Sequence, residues 1–198
     1  MRKLNISGLE EIVTLEKNEY KGENNIEEII VSCEEIPLCA FRGCKNLKKV
    51  TFTDNVKVIG TQAFYGCENL ETVVMSKSIE TIGALAFTYC KKLKDIDTSN
   101  VKNFKELCFL DSGIEEISLQ NAEEIKELAF SKTKIQEIII PENLERVNNR
   151  AFEDCENLKK IYIRNSIVKP DFKKDIFCNV IGKYIWGNKN TEIWVLNQ

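Results

Sequence analysis

Eight cysteines and no histidine set the chemistry open to this chain. Without an imidazole, no Cys-His or Ser-His pair can form, so acid-base work would fall to carboxylates or lysines. No two cysteines stand at the C-x-x-C spacing typical of zinc sites. Cys44, Cys67 and Cys90 instead recur at equal steps, and Cys155 shares their local context; Cys33, Cys39, Cys108 and Cys178 are scattered. Stacked in one column about 5 Å apart, the thiols invite a metal or disulfide reading. The simpler expectation is a buried ladder, because free cysteine packs as a small hydrophobe with a weak donor. Ser112 and Thr133 occupy the same column. Each can hydrogen-bond a backbone group, whereas neither replaces a thiolate. Asp95 and Asp97 form the other suggestive pair, since two carboxylates can hold calcium or act as acid and base. Nothing near them in the sequence adds a supporting group, and the expectation is a protein with no catalytic residue, cofactor or metal.

What positions these residues is a repeat. Ala-Phe recurs as Ala40-Phe41, Ala63-Phe64, Ala86-Phe87, Ala129-Phe130 and Ala151-Phe152, with Cys108-Phe109 completing the series, so the phenylalanines step by 23, 23, 22, 21 and 22 residues. One unit reads apolar-x-x-apolar, four residues, Phe, two residues, Cys, two residues, Leu, two residues, then a three-residue strand. The strand segments are Ile29–Val31, Val50–Phe52, Val73–Met75, Ile96–Thr98, Ile117–Leu119, Ile138–Ile140 and Ile161–Ile163. Their outer residues are mostly apolar and the middle one varies, the period of two expected for a strand with one buried face. The segment before each phenylalanine, with Pro37, Gly60 or Gly83 at its start, predicts the first turn of a short helix. The residue before each ring is small, as required where one coil's backbone presses on the next. Asn46, Asn69 and Asn157 precede the repeat leucines and predict tight turns with tolerance for left-handed backbone.

The pattern resembles that of the BspA-like leucine-rich repeats, whose I-G-x-x-A-F-x-x-C-x-x-L-x-x-I-x-I-P consensus is legible from Ile59 to Pro141 and again through Ile163. The resemblance implies an α/β leucine-rich-repeat solenoid with one short parallel strand and one short helical turn per coil of about 22 residues. It also implies adhesion or protein binding, as for solenoids on bacterial and protist surfaces. The expected organisation is a single solenoid over 1–198: an N-terminal cap or degenerate repeat in 1–25, repeats in 26–165 and a C-terminal cap in 166–198. Trp186 and Trp194 lie in that last part, with Ile193-Trp194-Val195 expected as a final strand.

Function in a solenoid usually lies on the strand face. Its candidate binding residues are Thr51, Val74, Asp95, Asp97, Glu116, Ser118, Glu137, Ile139 and Tyr162. The expected role is a non-catalytic protein-interaction or adhesion scaffold; a structural spacer of a larger surface protein and, further off, a carboxylate-dependent hydrolase are the alternatives. The expected partner is a protein or surface glycan, met by a monomer. With 28 basic and 31 acidic residues the net charge is −3, so no global field draws nucleic acid or an anionic membrane. No run of about 18 apolar residues could span a bilayer. Gly8, Glu10 and Glu11 interrupt any apolar stretch after Arg2 and Lys3, so the expectation for the chain as written is cytoplasmic; secretion or surface display is the alternative if an export segment has been trimmed away.

Overall fold

The repeat phenylalanines stack face to face along one axis. In the computed structural model, which describes residues 2–6, 16–148, 150–164 and 192–196, the rings of Phe41, Phe64, Phe87, Phe109, Phe130 and Phe152 follow one another at 5.1 to 5.6 Å with planes within 10° of parallel. Tyr20 adds a seventh ring, 5.4 Å from Phe41. The spacing is that of successive coils, and each internal ring is wholly buried. An aromatic column of this kind exists only if every coil contributes one ring at the same angular position, which the near-constant step in sequence ensures.

Two parallel ladders flank the column. On one side run β1 (Arg2–Ile6), β2 (Ile26–Val31), β4 (Lys49–Phe52) and β6 (Thr72–Val74), in register so that Ile30, Thr51 and Val74 are direct neighbours. The same side resumes further along with β10 (Glu137–Ile140), β12 (Lys160–Arg164) and β13 (Glu192–Leu196), where Ile139 pairs Tyr162 and Tyr162 pairs Trp194. The second side is a six-stranded sheet of two-residue strands: β3 (Glu35–Ile36), β5 (Val58–Ile59), β7 (Thr81–Ile82), β8 (Asn103–Phe104), β9 (Glu124–Ile125) and β11 (Arg146–Val147). These strands carry the second apolar position of the apolar-x-x-apolar motif.

The expected helical turn is absent among the described residues, and the architecture there is an all-parallel β solenoid. The physical cause is in the backbone. In every coil the residue two before the ring and the residue two after it have positive φ: Asn18 and Gly22 about Tyr20, Cys39 and Gly43 about Phe41, Gln62 and Gly66 about Phe64, Leu85 and Tyr89 about Phe87. Left-handed residues at this spacing break any α-helix and make tight turns instead. Alternate N–H groups then serve two purposes. Those of Ala40, Arg42 and Cys44 close turns onto Pro37, Cys39 and Phe41, while those of Cys39, Phe41 and Gly43 reach the carbonyls of Thr61, Ala63 and Tyr65 in the next coil. The turn side is thus a third hydrogen-bonded wall, continuous from the Tyr20 N–H, which reaches the Ala40 carbonyl, to the Phe130 N–H, which reaches that of Ala151.

The cysteine column is a ladder. The thiols of Cys44, Cys67, Cys90 and Cys155 donate to the carbonyls of Tyr20, Phe41, Phe64 and Phe130, each one coil back, at 3.0 to 3.3 Å. Thr133 donates to Phe130 of its own coil at 2.8 Å, whereas the buried Ser112 hydroxyl has no hydrogen-bond partner among the described residues. All seven described cysteines are free thiols. Burial pushes the Cys44 and Cys155 thiols up to about 11 and those of Cys67, Cys90 and Cys108 higher still. Such groups stay protonated at neutral pH and are neither nucleophiles nor ready metal ligands.

The asparagines also act between coils. The Asn46 and Asn69 amides donate to the carbonyls of Asn24 and Lys45 in the preceding coil, and neither residue has left-handed backbone, contrary to expectation. Leu9, Ile12, Val13 and Leu15 of the expected N-terminal cap, and Pro170, Phe177, Cys178 and Trp186 towards the C-terminus, lie outside the described residues.

Candidate binding surface

The first sheet is interrupted in its middle. Ile96–Thr98 and Ile117–Leu119, expected as strands, make no ladder, so β6 and β10 are edge strands facing one another across two coils. Coil length changes at the break. Val50, Val73 and Ile96 each follow their ring by nine residues, but Ile117 and Ile138 follow Phe109 and Phe130 by eight. The missing residue brings Gly113 against the coil behind it, where its N–H bonds the Cys90 carbonyl and an added Cβ would collide with the Lys91 carbonyl oxygen. Thr98 is a second local departure. It stands where other coils bury an apolar side chain, and its hydroxyl donates to the Ser118 carbonyl at 2.6 Å, a side-chain bridge in place of backbone pairing.

Beyond this break a groove of about 980 Å³ opens between residues 115–121 of one coil and 136–143 of the next. Glu116, Ser118, Glu137 and Ile139 line it together, joined by Glu115 and Glu142; no lysine or arginine takes part. Glu115 is paired with Lys94 at 3.1 Å, and the Tyr162 hydroxyl reaches the Glu137 carboxylate at 3.4 Å. Glu116 and Glu137 form no ion pair among the described residues. Ile139 is 54% exposed.

The other candidates lie elsewhere on the same face. Thr51 and Val74 sit side by side on β4 and β6, and Val74 is 43% exposed. Asp95 and Asp97 project from the coil between the two sheet halves and do not line the groove. Asp97 accepts the Ser99 N–H at 3.0 Å, and its hydrogen bonds with Ser99 hold its carboxyl below the usual carboxylate range. An exposed aspartate kept ionised in this way caps its own turn and is poorly suited to donate a proton as a general acid. No cluster of metal-ligating side chains occurs among the described residues.

Sequence reasoning passed over Glu115 and Glu142, and the available signal was the shorter count from Phe109 to Ile117. It also passed over a ridge on the turn edge. There Arg42 lies over the Tyr65 ring, Tyr65 meets Tyr89 edge to face at 5.4 Å, and Lys91 lies over Tyr89.

Comparison with known proteins agrees with this geometry. The profile of the BspA type leucine rich repeat region matches in six copies over residues 13–134 and 123–185. A leucine-rich repeat protein from Bacteroides ovatus is similar in structure, with TM-score 0.58 and 22% identity; the match covers 98% of this chain, which spans 60% of the length of that protein. A leucine-rich repeat protein of T. pallidum aligns over 86% of this chain and 70% of its own at 18% identity and TM-score 0.49. Among curated proteins none matches. No helix among the described residues is long and apolar enough to cross a membrane.

Proposed function

Because the chain belongs to the BspA type leucine-rich repeat family, we propose that it is a non-catalytic scaffold that binds a protein or surface glycan partner through its strand face. The observation that carries this reading is that three apolar side chains, Ile30 at 40%, Val74 and Ile139, are exposed at the middle strand position of that face among polar and charged residues. Apolar groups bounded by charge are typical of contact surfaces, and a protein with a closed core gains nothing from leaving them in water. Asp95, Asp97, Glu116, Ser118, Glu137, Thr51 and Tyr162 supply the polar surround. Beside the second sheet, Lys57 pairs Glu34 at 2.8 Å and Lys102 pairs Glu80 at 3.1 Å.

Affinity capture from the source organism's lysate and culture medium tests the proposal, with the double variant Asp97→Lys/Glu116→Lys against the second-sheet variant Glu80→Lys. The reading expects partners captured by the wild type and by Glu80→Lys to be lost from the double variant. Undiminished capture by the double variant moves the working surface elsewhere.

A further inference from the structure

The groove beside β10 narrows the kind of partner. Resting on the strand-face reading above, we propose that this groove binds an extended peptide segment in which basic and apolar side chains alternate.

Three features meet there. The first is an open strand edge: among the described residues β10 pairs with β12 alone, and no backbone hydrogen bond joins residues 116–120 to residues 137–141. In a parallel strand alternate residues bond to opposite sides, so β10 has donors and acceptors on its free side that only solvent or another chain can use. An added strand gains main-chain hydrogen bonds of the kind used wherever peptides extend a sheet. The second feature is charge. Glu116 and Glu137 line facing walls of the groove with no ion pair among the described residues, whereas Glu115 is already paired with Lys94; no lysine or arginine lines the groove. A ligand of matching charge therefore carries lysine or arginine, and two carboxylates on facing walls favour one such side chain on each side of the segment. The third is the exposed Ile139, whose neighbours in the groove include Ile117 and Leu119. A bound strand has side chains alternating in direction, so basic residues can meet the carboxylates while apolar ones cover Ile139. Asp95 and Asp97, beside the other open edge at β6, do not line the groove.

The test uses the whole chain and a fluorescent synthetic peptide alternating lysine and valine, with a glutamate-valine peptide as charge control. Anisotropy should show saturable binding of the lysine peptide alone, weakened by salt. Glu116→Gln/Glu137→Gln should weaken it by about tenfold or more, while Glu80→Gln on the second sheet leaves it unchanged. Hydrogen exchange should show new protection on binding at the Glu137 and Ile139 amides, which face away from β12. The two glutamines replace exposed carboxylates, and an unchanged melting temperature shows that the fold is intact. Failure of the lysine peptide to bind, equal binding by the glutamine variant, or protection confined to other strands overturns the groove proposal. The strand-face reading itself falls only if Asp97→Lys/Glu116→Lys retains its captured partners, so the two failures are distinct.

Discussion

The thiol of Cys67 donates to the carbonyl oxygen of Phe41 at 3.1 Å, so that a side chain of one coil closes onto the backbone of the coil behind it. Both groups are wholly buried, and Cys90 repeats the contact with Phe64. The cysteine column therefore joins coils together, and its chemistry is that of a weak donor in an apolar wall.

Thiol accessibility should follow from this. In the native protein a thiol reagent should find Cys33, which is half-buried, and few others; after denaturation it should find all eight cysteines. Fewer than eight in unreduced, unfolded protein would mean disulfides and would contradict the ladder.

The same thiols predict alkaline sensitivity. Their folded-state values lie above the ordinary 9.0, at about 11 for Cys44 and Cys155, because burial disfavours the thiolate. A group raised in the folded state contributes stability that is complete below its unfolded value and is lost as pH rises towards its folded one. The melting temperature should be insensitive to these thiols up to about pH 8.5 and fall between about 9 and 11. Replacing Cys44 and Cys155 with serine should flatten that fall.

Phe87→Ala removes a ring stacked at 5.4 Å on both Phe64 and Phe109. The expected cost is roughly 3–5 kcal/mol, a large fraction of a domain's stability. Calorimetry should show a drop of many degrees, and a melting temperature within about a degree of wild type would contradict the packing.

Much of this packing was legible in the residues. The repeat step placed the six phenylalanine rings and the rungs of the cysteine column, and the strand face followed from the alternation in segments such as Ile138-Ile139-Ile140. The helical turn was misread because its breakers are ordinary residues: Leu85, Leu107 and Leu128 take left-handed backbone that nothing in a leucine announces. They hold it because the inter-coil hydrogen bonds of Leu85 and Leu107 to Glu106 and Glu127 over-determine the turn against a local cost of about 1–2 kcal/mol. Tyr20 was missed as the first ring because neither alanine nor cysteine accompanies it, although Ile26 follows it by six residues as Leu47 follows Phe41. The groove was hidden because pairing is lost even between Val73 and Ile96, which follow their rings by the same nine residues, so the break appears only when neighbouring coils are stacked.

Two glycines separate crowding from backbone conformation. Gly113 has an added Cβ colliding with the Lys91 backbone, whereas Gly66 has φ of 71° and open space around it. Gly66→Ala should cost about 1 kcal/mol through the left-handed penalty alone. Gly113→Ala should cost clearly more and should also alter the groove, since it moves the start of 115–121. Equal destabilisation by chemical denaturation would contradict this.

Glu124 tests the second sheet. Its side chain is only 8% exposed and meets Lys105 at 3.2 Å, Lys126 at 3.1 Å and Arg146 at 3.1 Å. Burial alone would raise its carboxyl, but the hydrogen bonds to Lys126 and Lys105 outweigh it and the net direction is downward. A depressed carboxylate contributes stability present above its unfolded value and lost as pH falls through its folded one. Glu124→Gln should therefore destabilise by roughly 1–3 kcal/mol at neutral pH, and the difference from wild type should shrink in acid.

The opening of the strand face between β6 and β10 underlies both the surface reading and the groove, and amide hydrogen exchange on the free protein tests it most directly. The structure predicts slow exchange at Phe41, Phe64, Phe87 and Phe109 on the turn wall and along β4, with exchange at Ile117 and Ser118 faster by about a hundredfold or more. Protection of Ile117 and Ser118 within about tenfold of that in β4 would mean an unbroken sheet, and would contradict the account.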